Sequence, residues 1–311
     1  MDHEVKELIL SRLAGDTDRA RLGLIVEGGA MRAVTTASMV CALEDLGMTG
    51  VFDDLYATSV GAITGAYFLA GQAQVGTSTF LDDLRDRRFI NPLRPLIGRP
   101  ALSLHFAYEE LTRHYKPLNY QAVLSSPTRL HVIASSVKDK RPYDLGCGYD
   151  GQSMRDRFKA SSCLPMIAGR PQKVDGNEYF DGGIFDSLPF RAAIENGCTH
   201  LLILKSWPAG LDRSKPHWLE RALAARALSG RLMAAYMTRA ERYNQDSDLL
   251  EQANGGQDIG AKVMTISPGP EAAIGHLERN RSSLLLAGRS GASQVKMALT
   301  GLTGPTPEVL R

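Results

Sequence analysis

DDLYATSVGAITGAYFLAG, residues 53–71, is the stretch that decides the fold. An apolar segment, 53–58, runs into Thr58-Ser59-Val60-Gly61, and a helix of small residues is expected from Val60 to about Leu69, ending near Gly71. Ala57 and Gly61 are small enough for strand and helix backbones to pass close together around the serine. Strand, sharp turn and helix together make the setting of a nucleophile elbow. Such a turn lifts Ser59 Oγ off the sheet edge and sets it over the start of the next helix. Unbonded N–H groups and a partial positive charge there favour a developing alkoxide. Serine is also a favoured N-cap, so the same residues fit a serine that only caps the helix.

Upstream, LGLIVEGGAMRAVTTASMV (22–40) predicts a strand over 22–26 and a helix from about Val34 to Leu46 that stops before Gly47. Between them stands Glu27-Gly28-Gly29-Ala30. Glycines here let successive backbone N–H groups converge on an anion. That suits an oxyanion hole, a phosphate-binding turn or a plain tight turn. The full dinucleotide-binding spacing is absent, and no P-loop Lys-Ser/Thr follows. Downstream, EYFDGGIFDSLPF (178–190) sets Asp181 after a short strand and before Gly182-Gly183. A carboxylate so placed can face a cleft, or close a simple Asx turn. Before it, KASSCLPMIAGR (159–170) reads as a helix end stopped by Pro165.

Further strands are expected at 53–58, 129–137, 200–206 and 262–267, each short, apolar and flanked by Gly, Pro or charge. Their alternation with amphipathic stretches predicts an α/β fold with a mainly parallel sheet covered by helices. Two regions depart from this rhythm. Residues 81–100 carry Pro92, Pro95 and Pro100, which rule out a long helix. Residues 216–250 read as one long helix, with Leu228, Leu232 and Tyr236 four apart. Neither has a linker's composition, so the chain reads as one domain with two insertions.

The bulk values exclude several classes. The 311 residues carry a formal net charge of +2 and a pI near 8.3, too balanced for a nucleic-acid-binding surface. Cys41, Cys147, Cys163 and Cys198 form no C-x-x-C pair and no zinc pattern, so no metal is expected. The charged N-terminus lacks the apolar core of a signal peptide, and no stretch approaches a membrane span. A reduced, cytoplasmic chain is the expectation, at most resting on a membrane surface.

Taken in order, the glycine-rich loop, the serine elbow and the late Asp-Gly-Gly resemble the patatin-like phospholipase family. ASSCLP (160–165) matches a further family stretch. The loop is similar to that of the bacterial branch reading Glu-Gly-Gly-Gly-Met-Arg-Gly. The resemblance implies a three-layer αβα fold with helical insertions. It divides the single domain 1–311 into a core of about 20–206, a helical insertion of about 207–256 and a C-terminal extension of about 257–311. It also implies a Ser59–Asp181 dyad acting without histidine, metal or cofactor on a lipid or other ester. Gly28, Gly29 and Ala30 would form the oxyanion loop, while Gly61, Gly182 and Gly183 complete the motifs. Arg32 matches the family arginine, and a packing or ion-pair role is expected for it.

Three alanines depart from the family pattern, Ala30, Ala33 and Ala57, each standing where it has glycine. If position 30 needs a positive φ, alanine there costs roughly 1 kcal/mol, and a displaced N–H would slow an acyl transfer. The alternative function is therefore a weak or silent relative that binds lipid or a protein partner. A triad would need a histidine after the acid, yet His200, His217 and His276 lie in no recognisable catalytic loop. Arg85, Arg87, Arg88, Arg94 and Arg99 alternate with Phe89, Ile90, Leu93, Leu96 and Ile97. Arg221, Arg226, Arg231, Arg239 and Arg242 share the second insertion. Both patterns suit peripheral contact with an anionic membrane as well as solvated faces packed on a core.

Overall fold

The computed structural model describes residues 3–302 and 304–311, with the side chains of Leu219 and Leu223 left aside. Helix α1 (Glu4–Leu13) leads into β1 (Leu22–Val26), α2 (Val34–Asp45), β2 (Asp54–Thr58), α3 (Val60–Leu69) and α4 (Ala73–Asp82). A π-helix spans Phe106–Tyr115, followed by α5 (Tyr120–Leu124), β3 (Arg129–Ser136), β4 (Pro142–Asp144) and α6 (Gly151–Ser161). Then come β5 (Gln172–Val174), β6 (Asn177–Asp181), α7 (Phe190–Glu195) and β7 (His200–Leu204). Helices α8 (Trp218–Ala227), α9 (Gly230–Met237) and α10 (Arg239–Asn254), strand β8 (Lys262–Ile266) and α11 (Arg281–Thr300) complete the order.

Strands pair in the order β5-β6-β3-β2-β1-β7-β8, with β4 also on β3. The pairs β1–β2, β1–β7, β2–β3 and β7–β8 are parallel, and only the β3–β4, β3–β6 and β5–β6 pairs are antiparallel. Central strands are apolar on both faces because helices cover both. Leu24, Val26, Leu55, Ala57, Leu202 and Leu204 point to the layer holding α2, α3 and α11. Ile25, Tyr56, Ile133, Leu201 and Ile203 point to the layer of α7 and α10. The three-layer α/β arrangement thus follows from the two-residue period of the strands.

The five expected strands and the two early helices appear with ends within a residue or two. Gly47 and Gly71 take the positive φ (73° and 66°) that ends their helices. Strands β4 and β5 have no counterpart in the sequence reading, since each spans three residues and has little periodicity to show. The single helix expected over 216–250 is corrected: it is three helices. Ser229 is extended (φ −140°, ψ 162°), Gly230 has φ 53°, and Thr238 breaks the second joint at φ −96°, ψ 5°. The four-residue spacing of Leu228, Leu232 and Tyr236 is real, and all three are buried, but it carries across a break. Helix α6 ends at Ser161, four residues before Pro165. Beyond the end of α4 at Asp82, the 81–100 segment holds a short 3-10 turn, Arg94–Ile97, and no long helix, as its prolines require.

At the far end of the sheet from the serine turn, buried Asp54 takes hydrogen bonds from Arg21 (2.6 Å), Arg129 (3.0 Å) and His131 (3.1 Å). His131 also meets Asp144 at 2.5 Å and stacks on Tyr56, which ties β4 to the sheet. Among the described residues no helix is long and apolar enough to cross a membrane.

Candidate active site

The strand order places β1 between β2 and β7, while the chain leaves β1 and β7 on opposite faces. At such a switch point the loops after parallel strands diverge and leave a crevice. A cleft of about 520 Å³ opens there. Gly28, Gly29, Ala30 and Arg32 line it from the β1 loop, Ser59 from the β2 turn, Asp181 and Gly183 from the end of β6, and Trp207 and Arg213 from the β7 loop.

Ser59 has φ 59° and ψ −137°, a conformation rarely taken by a residue with a side chain. It occupies the N-cap position of α3, but its side chain makes no capping bond. Its hydroxyl instead donates to Asp181 Oδ2 at 2.7 Å. Its N–H donates to Ser161 Oγ (2.7 Å), which donates in turn to Ile133 O (2.6 Å), so the strained turn is anchored to β3. The turn also needs bare backbone beside it. A Cβ on Gly61 would lie 2.4 Å from Val26 O, and one on Gly28 would lie 2.5 Å from Thr58 O. These two glycines let α3 cross the end of β1, which is why side chains are excluded there.

Asp181 is buried. Its Oδ1 accepts the Gly183 N–H (2.8 Å), its own N–H donates to Cys163 O (2.9 Å), and Ser135 Oγ donates to its carbonyl (2.8 Å). Gly182 lies against Ile133 O as the chain turns from β6 across β3. Burial raises the Asp181 carboxyl to about 6, against the opposing hydrogen bonds from Ser59 and Gly183.

The β1 loop holds Gly29 at φ 137° and Ala30 at φ 52°. Met31 N–H donates to His276 O and Arg32 N–H to Gly29 O. The N–H groups of Gly28, Gly29 and Ala30 have no acceptor among the described residues. Ala33 sits at φ −65°, ψ −5°, and Ala57 lies within β2, so both take backbone angles ordinary for alanine. Of the three departures from glycine, only Ala30 stands where glycine would be favoured.

Glu27 was legible as part of the loop but not as its brace. It is buried, pairs with Arg213, accepts the Ser206 N–H at 2.7 Å and meets Tyr243 Oη at 3.2 Å. One carboxylate thereby joins the loops after β1 and β7 to α10. Its partners lie almost 180 residues or more away, so no local pattern announces them. Arg239 pairs with Glu220 on the same cleft wall. Arg32 differs from both: its guanidinium lies 5.0 Å over Trp207, its Nε is buried without a partner, and no carboxylate pairs with it among the described residues. Of the packing or ion-pair role expected for it, the structure has the packing, over Trp207, and no ion pair among the described residues. Burial and the neighbouring Arg213 lower it to about 10, so it stays cationic at neutral pH. His200 opens β7 and His276 lines the cleft; among the described residues neither is bonded to Ser59 or Asp181.

A model of the patatin-like phospholipase family matches residues 24–194, more than half of the chain. The uncharacterized protein YjjU of Escherichia coli (strain K12) is 28% identical over 208 residues, 65% of this chain and 56% of that protein. The match therefore spans little more than half the length of that relative. The crystal structure of VipD from Legionella pneumophila aligns with a TM-score of 0.45 at 13% identity, covering 92% of this chain and 68% of that one. The chain belongs to the patatin-like phospholipase family.

Proposed function

We propose that this protein is a serine lipid acyl hydrolase in which Ser59 is the nucleophile and Asp181 its base. The observation that carries the reading is the 2.7 Å contact of Ser59 Oγ with Asp181 Oδ2, beside loop N–H groups that have no acceptor among the described residues. Ionised Asp181 takes the hydroxyl proton as Ser59 Oγ attacks the ester carbonyl carbon. The N–H groups of Gly28, Gly29 and Ala30 hold the resulting oxyanion. Collapse expels the alcohol, which regains a proton from Asp181, and leaves an acyl-serine. Water then attacks that ester with Asp181 again as base; the acyl–Oγ bond breaks, Ser59 regains the proton from Asp181, and the fatty acid leaves.

The cleft supports a lipid as substrate. Its lining includes the apolar side chains of Leu164, Met166, Ile167 and Ile184 and the cations of Arg32, Arg213 and Arg239. Two of those cations are matched by Glu27 and Glu220, and Arg32 is left for an anionic group of the substrate. That pairing of surfaces fits an ester with an acyl chain and a phosphate-bearing head. The silent-relative alternative rests on the three alanines, and two of them occupy backbone conformations that alanine takes freely.

The test is hydrolysis of p-nitrophenyl butyrate by the full chain and by Ser59→Ala. Turnover by the wild type, reduced at least about a thousandfold in Ser59→Ala, is the expected result. Equal rates in the two proteins would refute the assignment.

A further inference from the structure

The 87–99 segment, RRFINPLRPLIGR, contains four arginines and no acidic residue. The structure divides its apolar residues in two. Phe89 and Ile90 are buried, whereas Leu93, Leu96 and Ile97 are 63%, 82% and 71% exposed. These three are not on a frayed strand of chain. Ile90 bridges Leu102 at the base of the loop, Asn91 Oδ1 accepts the Leu93 N–H, and the Arg94 guanidinium donates to the carbonyls of Arg87, Arg88 and Phe89. Gly98, at φ 72°, closes the short helical turn. Arg94 is thus spent inside the loop, and its bonds hold the aliphatic tips outward.

The loop sits at the lip of the cleft. Leu102 N–H donates to Ile167 O at 2.8 Å, and Ile167 lines the cleft wall. On the other flank Arg279 Nε donates to Arg85 O at 2.7 Å, two residues from Leu277, which also lines the cleft and is 40% exposed. Arg88 is paired with Asp86. Arg87 and Arg99 are exposed and have no carboxylate partner among the described residues. The second insertion behaves differently, because Arg239 and Arg242 turn inward, to Glu220 and to the carbonyls of Ile184 and Ala235. Arg221, Arg226 and Arg231 of that insertion are exposed, but its Leu228, Leu232 and Tyr236 are buried, so outward cations stand beside a cluster of exposed aliphatic tips in the first insertion.

We propose that the 91–99 loop docks this protein on anionic phospholipid bilayers, with Leu93, Leu96 and Ile97 entering the interface and Arg87 and Arg99 resting on lipid phosphates. Exposed aliphatic tips flanked by unpaired cations are what an anionic interface complements. A second copy of the chain is a poor occupant, since a two-fold contact through this tip would bring the like charges of both copies together. The proposal rests on reading the cleft as a lipid site, for it brings the cleft mouth down to the membrane that holds the substrate.

The experiment is flotation of the full chain with vesicles of phosphatidylcholine and phosphatidylglycerol in equal parts, and with phosphatidylcholine alone. Soluble butyrate ester turnover and sedimentation mass are measured on the same preparations. The wild type should float with the anionic vesicles and much less with the neutral ones. The combined Leu93→Ser, Leu96→Ser, Ile97→Ser variant should lose binding about tenfold or more. Arg87→Gln with Arg99→Gln should lose it several-fold and flatten its salt dependence. Both variants should keep wild-type turnover of the soluble ester. Wild-type flotation by the triple serine variant, no flotation of the wild type, or a wild-type dimer that the serines dissolve would each overturn the docking face. Vesicle binding without ester turnover would refute the hydrolase reading and leave the docking face standing.

Discussion

At the scale of single residues, the proposed Ser59–Asp181 dyad predicts a pH dependence. Asp181 must be ionised to accept a proton, and burial holds its carboxyl near 6 instead of the ordinary 3.8. The rate with a soluble ester should therefore fall about tenfold per pH unit below roughly pH 6, along a single ionisation, and level off above it. Stability should move the other way. The folded chain holds the Asp181 proton between about 3.8 and 6 while the unfolded chain releases it, so this group's contribution to stability declines as pH rises through that window. Asp181→Asn keeps the shape without the buried charge. It should abolish turnover and, at pH 8, melt no lower than the wild type. A flat pH–rate profile across pH 5–7, or a folded but active Asp181→Asn, would show that another group is the base. The two residues of the proposed dyad stand out in the sequence by their small flanking residues, Ala57 and Gly61 on one side and Gly182-Gly183 on the other. Ser161 shows in the sequence only as part of ASSCLP (160–165), because its bond to the Ser59 N–H spans 102 positions.

At the scale of elements, the β1 loop shows what one methyl does. Ala30 does take the left-handed backbone (φ 52°) that the sequence made the condition for strain. The loop keeps it there through Met31 N–H to His276 O, Arg32 N–H to Gly29 O and the Glu27 brace. The alanine thus stores strain more than it displaces the N–H groups. This changes the expected outcome of Ala30→Gly. Relief of the left-handed backbone, offset in part by the looser unfolded chain, should raise stability by about 1 kcal/mol. The kcat for a soluble ester should stay within about threefold of wild type. Denaturant melts and steady-state kinetics on the same samples decide it, and a tenfold or greater gain in kcat would mean that Ala30 misplaces an oxyanion donor. Elements whose burial repeats locally, such as β1, β2, α2 and α3, were readable almost to the residue. The three-helix insertion was not, because an apolar spacing of four persists through the break at Ser229-Gly230 and only the backbone angles reveal it.

For the whole molecule, the parallel order β3-β2-β1-β7-β8 opens the crevice, and the antiparallel β6 carries Asp181 back across β3 to meet the serine turn. The sequence made the α/β class and the parallel core legible through short apolar strands alternating with helices. It did not make legible how β6 returns, since the antiparallel β3–β6 register, Ala134 opposite Asp181, arises only when distant segments pair. The Glu27 brace and Arg32, which has no carboxylate partner among the described residues, belong to this scale too, being defined by groups contributed from α10 and the β7 loop. We propose that this architecture activates one serine, Ser59, among all those in the chain. The most direct measurement is reaction of the full chain with a fluorophosphonate, followed by mass spectrometry of the intact protein and its peptides. A single covalent adduct on Ser59, lost in Asp181→Asn, is predicted; no adduct, or an adduct on any other serine, would contradict the account.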